Sequence, residues 1–351
     1  MINVLALTGG RRLPSARFRV RQYIEPLGRR GVAVRERPSP ISAAAELPFR
    51  SQRFGPRSLA PLYAGVQVTK VLAQVPGVLA SRRATLTWLQ KPLVHGHLTM
   101  EPALGSPLLF DLDDAMWLAG PFGRKGTTYA AKRATAVIAG NRYLADWLGD
   151  HNPEVHIVPT AVDTRRFRPE DKASDGRFRI GWTGTGGNLP FLYDIEEELR
   201  HFWQEAHDAD LVVMADVAPR FSRLPVERVR YVPWSPDTEA SVLRSFSVGL
   251  MPLPDLPWTR GKCSFKLLQY MASGVPFIAS PVGMNADLLV AGHAGVAAGP
   301  GPGEWLEALR HLYRHPDERR AMGAEGRSLV EQRYDTEVVA SQLAEILHRW
   351  S

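Results

Sequence analysis

Short apolar runs alternate with helix-period stretches through the first half of the chain, break off at a charged segment, and then begin again. In the first cycle the strand candidates are Asn3–Leu7, Val32–Arg35, Thr85–Leu89, Leu108–Leu112, Ala136–Ala139 and Val155–Val158. Helices are predicted over Phe18–Arg29, Leu59–Leu79, Thr127–Arg133 and Arg142–Leu148, with a proline-rich loop across Pro38–Pro61. The segment Arg168–Arg177, RPEDKASDGR, is polar and aperiodic and reads as a linker. The second cycle has strand candidates at Phe178–Trp182, Leu211–Met214, Val229–Val232, Val248–Pro252 and Pro276–Ala279. Its helices are predicted at Leu192–Ala206, Thr238–Ser245, Ser264–Ser273, Gly303–Tyr313, Pro316–Tyr334 and Thr336–Trp350. Strands that alternate with helices form parallel sheets covered on both faces, so the chain is expected to be α/β, with two Rossmann-like doubly wound domains. The expected boundaries are 1–168 and 177–334, with 335–351 a closing helix that packs back toward the first domain. Open α/β sheets bind ligands beyond the carboxyl ends of their strands, so a cleft with the two domains facing each other across it is the expected site.

Composition narrows the function classes. No apolar run approaches the roughly 18–20 residues that span a bilayer, and the opening residues read as a first strand rather than a signal peptide. A soluble, cytoplasmic protein is expected. The single cysteine, Cys263, excludes an internal disulfide and a cysteine-based zinc cluster. The net charge of +7 is unevenly spread: residues 1–170 carry 24 Lys and Arg against 12 Asp and Glu, and the remainder carries 19 against 24. A basic first half suits an anionic partner, either a phosphorylated substrate or an acidic membrane surface. No zinc-finger spacing, aromatic RNA-binding signature or helix-turn-helix is evident, so nucleic acid is not expected.

The most informative segment is Gly261–Gly283, GKCSFKLLQYMASGVPFIASPVG. Ser264 is placed to cap a helix, whose start favours an anion through its dipole and unpaired donors. Lys262 and Lys266, four apart, share a side if the helix begins early. The ordinary reading is a capped surface helix with two solvated lysines. Gln269-Tyr270-Met271-Ala272, Gly274-Val275-Pro276-Phe277-Ile278-Ala279-Ser280 and Val282-Gly283 resemble the donor-binding signature of retaining glycosyltransferases of family 4, which have the GT-B fold. Gly9-Gly10 after the first strand, Val155–Pro159, Val162-Asp163-Thr164 and Phe167-Arg168-Pro169 extend the resemblance over nearly the whole chain.

Two departures stand out. The family's second Glu, which holds the donor ribose, is Gln269 here, and its first Glu aligns with Gly261. The usual Arg and Lys after the first strand of the second domain are replaced by Gly181-Trp182-Thr183-Gly184-Thr185-Gly186-Gly187-Asn188, a glycine-rich stretch whose backbone can approach phosphates closely. The segment looks like that of a divergent branch, with GKC and FKLLQYMA in place of the Glu-x7-Glu motif. The resemblance implies transfer of a sugar from a UDP- or GDP-sugar, with retention and without a metal or other cofactor, to a glycan, lipid-linked or small-molecule acceptor. A peripheral contact with the anionic inner membrane fits the basic first half.

Residue by residue, Lys262 and Lys266 would stabilise the leaving diphosphate, and Asp113 or Asp114 would position the donor sugar or the acceptor. Gln269 would hold the ribose, and Trp234 lies where the family wraps the nucleobase. Gly9, Gly10, Arg17, Thr183, Gly184, Cys263 and Ser264 complete the donor-side set. The run LLFDLDDAMW is expected to bring Asp111, Asp113 and Asp114 to a strand end, Asp113 falling where the family usually has a His. Gln90-Lys91 follows the neighbouring strand. His95 and His97 are given no ligand role, and Cys263 reads as a packed thiol. A nucleotide-sugar epimerase or phosphorylase of the same fold, or a non-catalytic binding protein, is the alternative. A dinucleotide oxidoreductase is disfavoured because no Gly-x-Gly-x-x-Gly follows a strand directly.

Overall fold

The computed structural model describes residues 1–43, 60–170 and 176–351. Residues 44–59 of the expected proline-rich loop, including the expected helix start at Leu59, lie outside the described residues. So do residues 171–175 of the expected linker. Among the described residues there are two six-stranded sheets, both wholly parallel. The first contains β1 (Ile2–Thr8), β2 (Val32–Pro38), β3 (Leu86–Gln90), β4 (Leu108–Leu112), β5 (Ala136–Ala139) and β6 (Val155–Ile157), in the order β2-β1-β3-β4-β5-β6. The second contains β7 (Phe178–Gly184), β8 (Ala209–Ala215), β9 (Val229–Pro233), β10 (Val248–Met251), β11 (Phe277–Ala279) and β12 (Gly295–Ala297), in the order β12-β11-β10-β7-β8-β9.

The chain divides into two compact units. The first comprises Met1–Thr160, Gly261–Cys263 and Thr336–Ser351, and the second Ala161–Arg260 and Ser264–Asp335. The first break thus falls at 160/161 rather than at 168, and the tripeptide Gly261–Cys263 counts with the first unit although it sits within the second in sequence.

In the first unit every residue of β3, β4 and β5 is buried, as a sheet covered on both faces requires. The expected single helix over 18–29 is instead two short helices, Pro14–Arg19 and Ile24–Arg29, joined by a 3-10 turn. Pro26 fits the first turn of the second piece, where its missing N–H is harmless. The helix Thr336–Arg349 buries Val339, Leu343 and Leu347. Its Glu337 pairs with Arg29, and with Arg30 at 2.9 Å.

In the second unit Ile180, Trp182, Leu211, Val213, Val248 and Leu250 form the sheet side of a core closed by Leu199, Phe202, Trp305 and Leu309 from helices. The expected helix over 192–206 is split into Leu189–Tyr193 and Glu196–Phe202.

Each sheet has one point where successive connections leave on opposite sides. In the first sheet the chain steps from β1 outward to β2, then returns to β3 on the other flank of β1. In the second it runs β7, β8, β9, then returns to β10 beside β7. The carboxyl ends of β1 and β3, and of β7 and β10, are therefore where each unit can seat a ligand.

Candidate functional site

Within the first unit, β3 ends at Gln90 and the next residue, Lys91, adopts a left-handed conformation with φ of 64°. That region is costly for a residue with a side chain. Its backbone N–H donates to the Asp111 carbonyl at 2.9 Å, and its ammonium reaches two carboxylates, Asp113 at 3.0 Å and Asp114 at 2.5 Å. The Gln90 amide donates to Asp113 at 3.1 Å. Burial alone would lower the pKa of Lys91, but Asp113 and Asp114 outweigh it and raise it. For Asp113, burial raises the pKa, Lys91 opposes the shift, and Asp114 adds to it. His95, near this cluster, is pushed down to about 3 by burial and by Lys91. It is therefore a neutral imidazole, and its Nε2 meets no partner among the described residues.

Asp111 does not join Asp113 and Asp114 at the strand end. It lies inside β4, fully buried, and accepts from Arg19 at 2.7 Å and from the Trp88 indole at 3.1 Å. Arg19 also donates to the Val158 carbonyl at 2.8 Å. A buried pair of this kind is structural: removing one partner strands the other charge, at about 3–5 kcal/mol. Arg17 is half-buried, with its guanidinium 4.7 Å from the ring centre of Phe18. Gly9 packs under Leu13, where a Cβ would approach to 2.9 Å, and Gly10 holds φ of 150° against Ser42.

The tripeptide Gly261–Cys263 is held by the loop that follows β4. A Cβ at Gly261 would lie 2.8 Å from the Ala115 methyl and 2.9 Å from its nitrogen. This close backbone approach is the physical reason a carboxylate cannot stand there. The Lys262 carbonyl accepts from the Asn141 amide at 3.0 Å, while the Asn141 oxygen caps the helix Arg142–Gly149. The Cys263 thiol donates to the Asp113 carbonyl at 3.3 Å and fills the space a Cβ at Gly140 would need. Burial pushes this thiol's pKa up, which makes it a packed group rather than a nucleophile.

In the second unit the helix of the GKC…FKLLQYMA segment runs from Phe265 to Ala272. The expectation for Ser264 is corrected. Ser264 has φ of 48°, and its side chain makes no capping bond because its hydroxyl donates to Asn285 at 2.7 Å. Lys262 is likewise not on the helix, which begins three residues later, so the two lysines do not share a helix face. Lys266 does project from it. Its ammonium lies 4.1 Å from the Trp182 ring centre and 2.8 Å from where a Cβ of Gly184 would stand. Glycine at 184 therefore keeps the end of β7 open beside a cation. The Thr183 N–H donates to the Tyr270 hydroxyl at 3.2 Å, fixing that strand end to the same helix.

Gln269 is buried, and its amide nitrogen donates to Glu239 at 3.0 Å. The same carboxylate accepts from the half-exposed Trp234 indole at 3.1 Å and pairs with Arg166 at 2.9 Å. Sequence reading missed Glu239, and only its position at a helix start hinted at it. This one buried carboxylate ties together the side chains expected to contact ribose and base. The amide oxygen of Gln269 accepts from no described residue. Among the described residues, the group whose spacing suits a metal ion is His311, His315 and Glu318, none of which belongs to the sets above.

Residues 183–315 match the model of the family described as glycosyl transferases group 1. Similar solved structures include a sucrose-phosphate synthase from Thermosynechococcus elongatus, at 15% identity over 99% of both chains with a TM-score of 0.70. Anabaena HepE in complex with UDP and glucose is 14% identical over 99% of this chain and 100% of that one, with a TM-score of 0.70. WaaG, a glycosyltransferase involved in lipopolysaccharide biosynthesis, is 14% identical over 98% and 99%, with a TM-score of 0.66. No curated protein matches the sequence at a significant level. At these identities the likeness establishes the fold, which is α/β GT-B.

Proposed function

We propose that the chain is a retaining glycosyltransferase that moves a sugar from a UDP- or GDP-sugar to a hydroxyl acceptor. The observation that carries this reading is the grouping, inside the family-matched segment, of the Lys266 ammonium, the side-chain-free Gly184 strand end and the Gln269–Glu239–Trp234 set. A diphosphate needs a cation and close backbone approach, which Lys266, Thr183 and Gly184 supply. A ribose needs an acceptor oxygen, which Gln269 supplies once its nitrogen is committed to Glu239. The half-exposed Trp234 offers a face for the base. Lys262 would add charge at the leaving phosphate, with Cys263 and Ser264 shaping the loop between the two lysines.

Charge stabilisation of the leaving diphosphate is the main chemical task, and it needs no protein nucleophile. Asp113 and Asp114, held by Lys91, would orient the reacting hydroxyl or the donor sugar, with Gly9, Gly10 and Arg17 contributing to the same ligand set. The donor reading draws support from HepE, whose structures hold UDP and UDP-glucose. We infer a metal-independent reaction and a cytoplasmic location, with the basic first half toward acidic partners. Among the described residues no helix is long and apolar enough to cross a membrane. Calorimetry with UDP, GDP and their sugars tests the reading: a nucleoside diphosphate should bind, and the matching nucleotide sugar should be consumed in the presence of acceptor. No binding of any nucleoside diphosphate at millimolar concentration would refute it.

A further inference from the structure

An open cavity of about 690 Å³ lies in the first unit where β1 and β2 end. Gly10, Arg11, Arg12, Arg35, Glu36 and Arg37 line it, together with residues of the turn at 38–42. Arg11 and Arg12 come from the turn after β1. Arg35 and Arg37 are two apart on β2, in register with Leu5 and Leu7 of β1, so the strand geometry puts both on one face. None of these four guanidinium groups has a hydrogen-bond or ion-pair partner among the described residues. The one acidic residue of the lining, Glu36, does not neutralise them. Arg21 holds it through two bonds of 2.7 Å, and the Thr8 hydroxyl adds a third at 2.8 Å.

Four uncompensated cations around one cavity repel each other, and a dianion placed among them removes that repulsion while satisfying the planar donor forks in pairs. Gly10, at φ of 150° beside Ser42, keeps the floor free of a side chain. We propose that this cavity binds the phosphoryl group of a phosphorylated acceptor. The assignment to an acceptor rests on the transferase reading: the donor's diphosphate is already provided for in the second unit, which leaves these arginines for the other substrate. A sugar phosphate and a lipid-linked phosphate share the chemistry, and the experiment separates them.

The test is binding rather than turnover. With the chain saturated by UDP, so that the donor side is filled, calorimetry is run with glucose 6-phosphate and with glucose. Co-sedimentation is run with phosphatidylcholine vesicles with and without polyprenyl phosphate. Arg35→Ala, Arg37→Ala and the control Arg124→Ala, which lies outside the cavity, are measured alongside. The expected result is binding that requires the phosphate, weakens roughly tenfold or more in Arg35→Ala and Arg37→Ala, and is unchanged in Arg124→Ala. Response to the soluble sugar phosphate identifies a soluble acceptor, and response only to polyprenyl phosphate vesicles a lipid-linked one. Absence of phosphate-dependent binding in every arm, or equal affinity in wild type and both cavity variants, overturns the proposal. If UDP itself fails to bind, the donor reading falls, and the arginine comparison, run without UDP, still decides the cavity's role.

Discussion

Replacing Gln269 by Glu would install the residue of the donor-binding signature that this segment resembles, yet the structure predicts damage. The Gln269 nitrogen lies 3.0 Å from Glu239, and both residues are buried. Two carboxylates at about that separation repel by about 5 kcal/mol at an effective dielectric near 20. The pair escapes the full cost by binding a proton. Holding one carboxyl protonated at pH 7, against an ordinary value near 4.3, costs about 4 kcal/mol, and Arg166, 2.9 Å from Glu239, offsets part of it. The expected loss is therefore about 2–4 kcal/mol at pH 7. The introduced carboxyl has a folded-state pKa above its unfolded value, so the penalty is absent below about pH 4 and grows as pH rises above it. At pH 5.5 it should not exceed about 1.6 kcal/mol. Denaturant unfolding of wild type and Gln269→Glu at pH 5.5 and 7 reads this directly. The double variant Glu239→Gln, Gln269→Glu, which returns one donor and one acceptor, should recover most of the loss. A Gln269→Glu protein as stable as wild type at pH 7, or a double variant no better than the single one, would refute the carboxylate–amide contact and its role in orienting the amide oxygen.

Lys266→Ala should weaken UDP or GDP binding by roughly tenfold or more and Lys262→Ala by less, because Lys266 stands beside Gly184 on the motif helix; equal affinities by calorimetry would count against the assignment. Lys91→Met removes the charge that holds Asp113 down against burial, so the acidic limb of the transfer rate should move to higher pH. An unmoved limb would separate the cluster from the reaction. Transfer should survive a chelator, and loss of activity restored by Mg or Mn would contradict the metal-independent mechanism.

The strands were legible where a buried parallel sheet writes itself as a continuous apolar run: β4 and β5 coincide with the residues expected from sequence. β12 escaped because it is three residues long, Gly295–Ala297. The helix Met284–Gly292 escaped because its apolar residues are not gathered on one stripe. At the candidate site, residue types and neighbourhoods could be read, but partners could not. Nothing local marks Asp111 as the partner of Arg19, 92 residues away, or distinguishes it from Asp113 two positions later. Ser264 is a good capping residue by type, yet a left-handed backbone and Asn285 claim it for other work. Lys91 was legible in place, because it directly follows a strand, but not in conformation: a residue before proline favours extended backbone, whereas Lys91 is left-handed.

The division of the chain has a consequence for its birth on the ribosome. The first unit includes the segment Thr336–Ser351, so its groove for Val339, Leu343 and Leu347 stays open until those residues have been made. The second unit, whose own residues are complete once Asp335 has been made, can mature earlier although it is encoded later. A nascent chain stalled short of residue 336 would present a finished second half and an unfinished, apolar, basic first half. Quality-control proteases that sample nascent or truncated chains should therefore cut the amino-terminal half first, even though the missing residues are at the opposite end.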